Sequence, residues 1–365
     1  VHDRADMAVD VHDVRHLDRA ALEARLREFT ARERATPFDL LVAPLERITA
    51  HVDGDRSWWL SVTSCHAITE GWSQRLLMGE LLELYRAFRD GQVPRLQPLP
   101  RVRYADFIAA ELEALRSTGV VDHWTSVVTG NARFTLPDGW GGDAGPAYVL
   151  PVAFGDLRDG LDRLGAAAGV PIKSVLFGAH LAVLSRLAPG PFYTGLVTDS
   201  RPASDGVERV PGMYLNTVPF PYDGRAATWR DLVRGVFAAE AGMWPNRTMP
   251  MPAIAELAGP GRMLDVMFSY REFDAAEIDL GDSGGIGVGE GAGEGANEFP
   301  LAVSTVPGHL ALTADPAFVS REHGELMAGM YRRVLESMAA DPDGDATAEL
   351  ATDQVDGWND TAVQW

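Results

Sequence analysis

Ser64-Cys65-His66-Ala67-Ile68-Thr69-Glu70-Gly71-Trp72-Ser73 sets one imidazole ahead of a Glu-Gly pair with three residues between, directly after a strand-like run. From Ser57 to His66 the alternation predicts a half-buried strand, with Trp58, Leu60, Val62, Ser64 and His66 on one face and Trp59, Ser61, Thr63 and Cys65 on the other. Beyond Gly71, the residues Leu77, Leu81, Leu84 and Phe88 recur at helical spacing, and Gly91 and Pro94 supply stop signals. A histidine at a strand end is exposed, and a neutral imidazole accepts a proton at physiological pH. Gly71 permits a tight turn whose N–H is free to face a developing oxyanion, and the following helix adds its positive end. The combination points to acyl-transfer chemistry with His66 and Gly71 as candidate catalytic residues. H-x-x-x-E-G is short and degenerate, so the rest of the chain has to decide.

At 365 residues the chain is long enough for two core-bearing lobes. Its 46% hydrophobic and 23% charged content is that of an ordinary globular protein, and no apolar run approaches the roughly 20 residues of a membrane span. A formal net charge of -20 and the absence of a Lys/Arg cluster argue against nucleic-acid binding. One cysteine leaves no intrachain disulfide framework and no thiolate metal cage, in keeping with a reducing cytoplasm. No metal site is expected. The opening Val1-His2-Asp3-Arg4 resembles no signal peptide and reads as a start inside a longer polypeptide.

Outward from the motif, helices are predicted over Ala20–Phe29, Tyr104–Leu115, a segment carrying Leu157, Leu161 and Leu164 and ended by Gly169, Ser174–Leu187 and Glu322–Met338. Ser174–Leu187 is apolar nearly all round and therefore buried, so His180 within it reads as a hydrogen-bonded core histidine. Phe192–Thr198, Met263–Tyr270 and Pro300–Thr305 read as strands. The Gly- and Pro-rich stretch from Leu136 to Pro151 is the expected lobe boundary, and the eight glycines of Gly281–Gly295 read as a flexible loop that never completes G-x-G-x-x-G. Trp58, Trp59 and Trp72 read as core, because no basic residues interleave with them.

Four further stretches give the motif its context. Thr194-Gly195-Leu196-Val197-Thr198-Asp199-Ser200-Arg201-Pro202, Val210-Pro211-Gly212-Met213-Tyr214-Leu215-Asn216-Thr217-Val218-Pro219, Arg262-Met263-Leu264-Asp265-Val266-Met267-Phe268-Ser269-Tyr270 and Trp358-Asn359-Asp360-Thr361 follow in order. With the His66 segment, which resembles H-H-x-x-x-D-G, they resemble the condensation domains of nonribosomal peptide synthetases, relatives of chloramphenicol acetyltransferase. That resemblance implies an α/β fold of two chloramphenicol-acetyltransferase-like lobes in a V, each a mixed sheet with helices. The N-terminal lobe would be residues 1–145, incomplete at its start because the family's opening motifs have no counterpart, the C-terminal lobe 146–350, and 351–365 a linker towards an adenylation domain. It also implies peptide-bond formation in secondary-metabolite or antibiotic biosynthesis, between donor and acceptor thioesters carried on the 4'-phosphopantetheine of upstream and downstream carrier proteins. The domain itself would bind no cofactor.

The chain departs from the family pattern at two positions of the motif. Cys65 stands where the family has its first, mainly structural histidine, and His66 keeps the second, which is tied to catalysis. Glu70 replaces an aspartate that resembles a structural acid paired with the motif arginine, here Arg201; one extra methylene leaves the pair in altered geometry or displaces the loop. Cys65, Trp72, Ser73 and Asn216 are candidates for the substrate tunnel. Ser73 is alternatively an N-cap, and Asn216 alternatively a strand-end residue. A non-catalytic recruitment platform is the alternative function, motivated by Cys65 and Glu70.

Overall fold

The computed structural model describes residues 5–94, 97–271 and 298–348. It divides into two compact units: among the described residues, the first holds those up to Phe107 together with Arg201–Tyr214, and the second holds the remainder. By this division residues 108–145, placed in the first lobe from sequence, belong to the second unit. The expected glycine-rich loop at Gly281–Gly295 and the expected linker at 351–365 lie outside the described residues.

The first unit is built on a three-stranded sheet. Strand β1 (Val9–Asp13) runs parallel to β2 (Glu46–Val52), which pairs antiparallel with β3 (Trp58–Ser64). Between β1 and β2 lies α1 (Arg19–Ala35), as a parallel pair requires a crossover. Asp18 caps that helix by accepting the Ala21 N–H at 2.9 Å, and Arg32 and Arg34 complement the negative end of its dipole. It extends well past the predicted Ala20–Phe29. The unit continues through α2 (Gly71–Arg89) to the start of α3 (Tyr104–Ala114), whose residues from Ile108 onward belong to the second unit.

The three tryptophans expected in the core are instead more than a third exposed: Trp58 36%, Trp59 39% and Trp72 42%. Among the described residues β3 pairs only with β2, so Trp58 and Trp59 lie on an edge strand, while Trp72 is the second residue of α2. Each ring lays its apolar body on the protein and gives its N–H a partner: Tyr85 Oη at 3.1 Å for Trp58, Asp53 Oδ2 at 3.0 Å for Trp59 and the Glu208 carbonyl at 2.9 Å for Trp72.

The second unit carries α4 (Thr118–Gly130), β4 (Ala132–Arg133), β5 (Tyr148–Ala153), α5 (Arg158–Ala168), α6 (Ile172–Ser185), β6 (Phe192–Asp199), β7 (Leu215–Tyr222), α7 (Trp229–Met243), α8 (Met251–Ala258), β8 (Val266–Ser269), β9 (Leu301–Val306), β10 (His309–Ala314) and α9 (Arg321–Ala340). Its seven-stranded mixed sheet has the order β4-β6-β8-β9-β10-β5, with β7 on the other edge of β6. Pro219 and Pro221 in β7 are two residues apart, so both ring nitrogens fall on the same side of the strand. β7 pairs only with β6 among the described residues, and two missing donors are tolerated on such an edge. α5 ends where expected: Gly169 takes φ 70°, a left-handed conformation that a side chain disfavours, and its N–H bonds back to the Ala166 carbonyl.

α6 is buried from Ser174 to Leu184 and packs against α5, α7 and α9, which explains why its sequence shows no polar face. His180 has no exposed surface. Its Nδ1 is hydrogen-bonded to the Tyr331 hydroxyl at 2.7 Å, and its Nε2 has no partner among the described residues. Burial pushes its pKa from 6.5 down to about 3, because the imidazolium would lie in an apolar core. The unfolded imidazole then takes up a proton that the folded one refuses. Its contribution to stability is complete above about pH 6.5 and is lost as pH falls towards about 3, at roughly 1.4 kcal/mol per pH unit. Urea midpoints at pH 6.5 and 4.5 should therefore fall more steeply for the wild type than for His180→Gln. Equal slopes would exclude this histidine as a source of acid lability.

Candidate functional site

The ladder of β3 ends at Ser64, whose hydroxyl donates to Glu46 Oε1 at 3.0 Å, and the Cys65 N–H makes a last bond to the Leu45 carbonyl at 2.9 Å. His66 follows in a turn closed by the Ile68 N–H on the Cys65 carbonyl at 3.1 Å. The strand alternation that would have put His66 on the Ser64 face therefore stops before reaching it. A turn, rather than strand parity, exposes the ring. His66 Nδ1 lies 2.7 Å from the Thr69 carbonyl oxygen. A carbonyl only accepts, so Nδ1 carries the proton and, in the neutral ring, Nε2 carries the lone pair.

The chain then turns inward, and Thr69 and Glu70 are buried at 5% and 4% exposure. Glu70 caps α2: its Oε2 accepts the Trp72 N–H at 2.7 Å and its Oε1 the Ser73 N–H at 3.1 Å. The capping role expected of Ser73 thus belongs to Glu70. Glutamate is an unusual cap, and the extra methylene lets the carboxylate fold back over the first turn while still reaching sideways to a guanidinium. Arg201 Nη2 donates to the same Oε1 at 2.7 Å, in a pair whose side chains are 11% and 3% exposed. The Arg201 guanidinium also lies over the Tyr214 ring, 4.3 Å from its centroid.

Gly71 is the first residue of α2 and is not among the glycines with positive φ, so the tight turn expected of it is made earlier, at Cys65–Ile68. The Glu70 cap takes the amides of Trp72 and Ser73 and leaves that of Gly71 out. It is one of the four N–H groups that a helix start cannot satisfy internally.

Ser73 has no exposed surface, which removes it from any substrate-lining position. Its Oγ lies 2.7 Å from Glu70 Oε1, 2.8 Å from the Gly212 carbonyl, 3.0 Å from the Gly212 N–H and 3.1 Å from Arg201 Nη2. Gly212 has no room for a side chain, since a Cβ would stand 2.3 Å from Tyr104 Cδ2. Cys65 is half-buried beside the turn. Asn216, in the second unit, commits its amide hydrogens to the Arg247 and Met249 carbonyls at 2.9 and 2.7 Å and its oxygen to the Met251 N–H at 3.0 Å. It thereby braces the chain entering α8. Among the described residues no group of three or more His, Cys, Asp or Glu side chains is arranged to hold a metal ion.

Sequence reasoning missed the Ser73–Gly212 contact and the Trp72–Glu208 contact. A signal for the first does exist in the chain: a serine three residues after an acid at a helix start, and a glycine in a motif remote from it.

Residues 1–356 match the family described as Condensation domain. The AMB antimetabolite synthetase AmbE of Pseudomonas aeruginosa is 31% identical over 359 residues, 95% of this chain and 16% of that protein. A dimodular nonribosomal peptide synthase of Bacillus subtilis is 25% identical over 374 residues, 89% of this chain and 15% of that protein. The chain spans less than a fifth of the length of these relatives. Among solved structures, the X-domain from teicoplanin biosynthesis superposes with a TM-score of 0.74 at 20% identity, over 96% of this chain and 83% of that one. The first condensation domain of the calcium-dependent antibiotic synthetase, in complex with a substrate analogue, gives 0.72 at 19% identity, over 95% and 79%. The fold is the chloramphenicol-acetyltransferase-like fold of these domains, and the chain belongs to the condensation-domain family.

Proposed function

We propose that this chain forms an amide bond between a donor acyl or peptidyl thioester and an acceptor aminoacyl thioester, both held on phosphopantetheine arms of carrier proteins. The observation that carries the reading is His66: its Nδ1–H is engaged by the Thr69 carbonyl at 2.7 Å, which directs the basic lone pair of an exposed ring onto Nε2. In the reaction the acceptor amine attacks the donor thioester carbonyl. The C–N bond forms, the C–S bond breaks, and the amine proton passes to Nε2 and on to the departing thiolate. The Gly71 N–H, left out of the helix cap, is the donor proposed for the tetrahedral oxyanion. Alignment of two tethered reactants supplies a further share of the rate, and Glu70 with Arg201 supports the loop without joining the chemistry.

Upstream and downstream carriers and an adjoining adenylation domain are the partners this reading implies. A second reading, a recruitment platform that has lost activity, draws on Cys65 and Glu70 and on a relative whose structure is described as a complex of the X-domain and OxyB. Loading both carriers chemically and following the acceptor by mass spectrometry separates the two. Elongated product on the acceptor carrier is the expected result. Carriers that stay unreacted with the wild-type protein in its full-length context would reject the enzyme and leave the platform.

A further inference from the structure

We infer that residues Arg201–Tyr214 act as a clamp on the first turn of α2, and that Ser73 and Trp72 are positioning residues that hold His66 in its reactive tautomer through it. The inference rests on the proposed acyl-transfer role of His66 and adds residues to which that role assigns nothing.

The clamp grips the helix start at three places. Ser73 Oγ accepts the Gly212 N–H at 3.0 Å, and its single proton is shared between Glu70 Oε1 at 2.7 Å and the Gly212 carbonyl at 2.8 Å, so one buried hydroxyl ties the cap to the clamp. Trp72 Nε1 donates to the Glu208 carbonyl at 2.9 Å. Arg201 Nη2 donates to Glu70 Oε1 and to Ser73 Oγ, at 2.7 and 3.1 Å. The segment has its own anchor, because the Tyr104 hydroxyl donates to the Met213 carbonyl at 2.9 Å and the same ring excludes a side chain at Gly212. All of these residues lie in the first unit.

The route to His66 is one peptide plane. The Thr69 carbonyl that accepts His66 Nδ1–H shares its peptide unit with the Glu70 nitrogen, and that unit is planar. Whatever fixes the Glu70 backbone therefore fixes the direction of the carbonyl. Glu70 is held by its own cap bonds, by Arg201 and by Ser73, whose Oγ is 2.7 Å from Oε1. Without the Ser73 hydroxyl the carboxylate loses one of its partners and Gly212 loses its grip on the turn. The peptide then gains freedom to rotate, and the imidazole distributes between its two tautomers.

The test is nitrogen NMR of His66 in the folded protein, read beside turnover of loaded carriers. The wild type should show a protonated Nδ1 and a lone-pair Nε2. Ser73→Ala should show a mixture, with kcat lowered by up to roughly 100-fold and the carrier KM unchanged, as for a misplaced rather than a missing group. Trp72→Phe keeps an aromatic ring and removes the N–H together with the pyrrole half of the indole; it should move both readouts in the same direction by a smaller factor, and it serves alone where Ser73→Ala does not fold. An unchanged tautomer in the folded variant overturns the inference, whatever turnover does. The tautomer is read without substrate, so a wild type that forms no product rejects the acyl-transfer reading and leaves this test standing.

Discussion

His66→Ala is expected to reduce amide formation between loaded carriers by about 10²- to 10⁴-fold, the range over which a positioned general base contributes. Its stability should change by no more than about 1 kcal/mol. The ring is exposed, and its bond to the Thr69 carbonyl is a neutral hydrogen bond of modest net worth. The two expectations together make the variant informative, because lost turnover in a protein with an unchanged urea midpoint cannot be assigned to unfolding. His66→Asn sharpens the result: its amide can still donate to the carbonyl but offers no basic nitrogen, so it should be as inactive as alanine. Turnover within a few-fold of wild type in both would remove His66 from the chemistry and leave alignment of the tethered substrates as the source of rate.

Arg201→Ala should cost about 3–5 kcal/mol in folding stability, the largest structural effect expected of a single side chain at the site. It strips the guanidinium from a carboxylate that is 3% exposed, and an uncompensated buried charge is worse than no pair at all. Arg201→Lys should recover only part of the loss. Both bonds come from the one nitrogen Nη2, which an ammonium can imitate, but an ammonium cannot lie flat on Tyr214 as the guanidinium does. A cycle of Glu70→Ala, Arg201→Ala and the double variant, followed by urea unfolding, should give a coupling of about 1–3 kcal/mol. Strict additivity would mean that the 2.7 Å contact carries no energy.

The helices of the second unit are legible in the sequence because their chemistry is local. Leu161 and Leu164 mark the buried stripe of α5, Gly169 its left-handed end, and the unbroken apolar run of α6 its central place. α4 and β7 are harder to see. The apolar positions Val120, Val121, Trp124, Val127 and Val128 follow closely on the stretch assigned to α3, and two prolines disguise β7 until its free edge is known. The indoles of Trp58, Trp59 and Trp72 suggest core and prove exposed, because composition says how apolar a ring is and not whether the strand or helix start that carries it is covered.

By itself the sequence determined the order of motifs and with it the family, and through that resemblance the histidine proposed for acyl transfer and the expectation that Arg201 answers Glu70. Each depends on residue type and on spacing along the chain. Only the tertiary structure decided that a turn exposes His66, that a backbone carbonyl sets its tautomer, that Glu70 serves as helix cap as well as ion-pair partner, and that Ser73 meets Gly212 across 139 positions of chain. Hydrogen-bond geometry depends on where backbone groups converge in space. Spacing along the chain predicts that convergence only within one helix or strand.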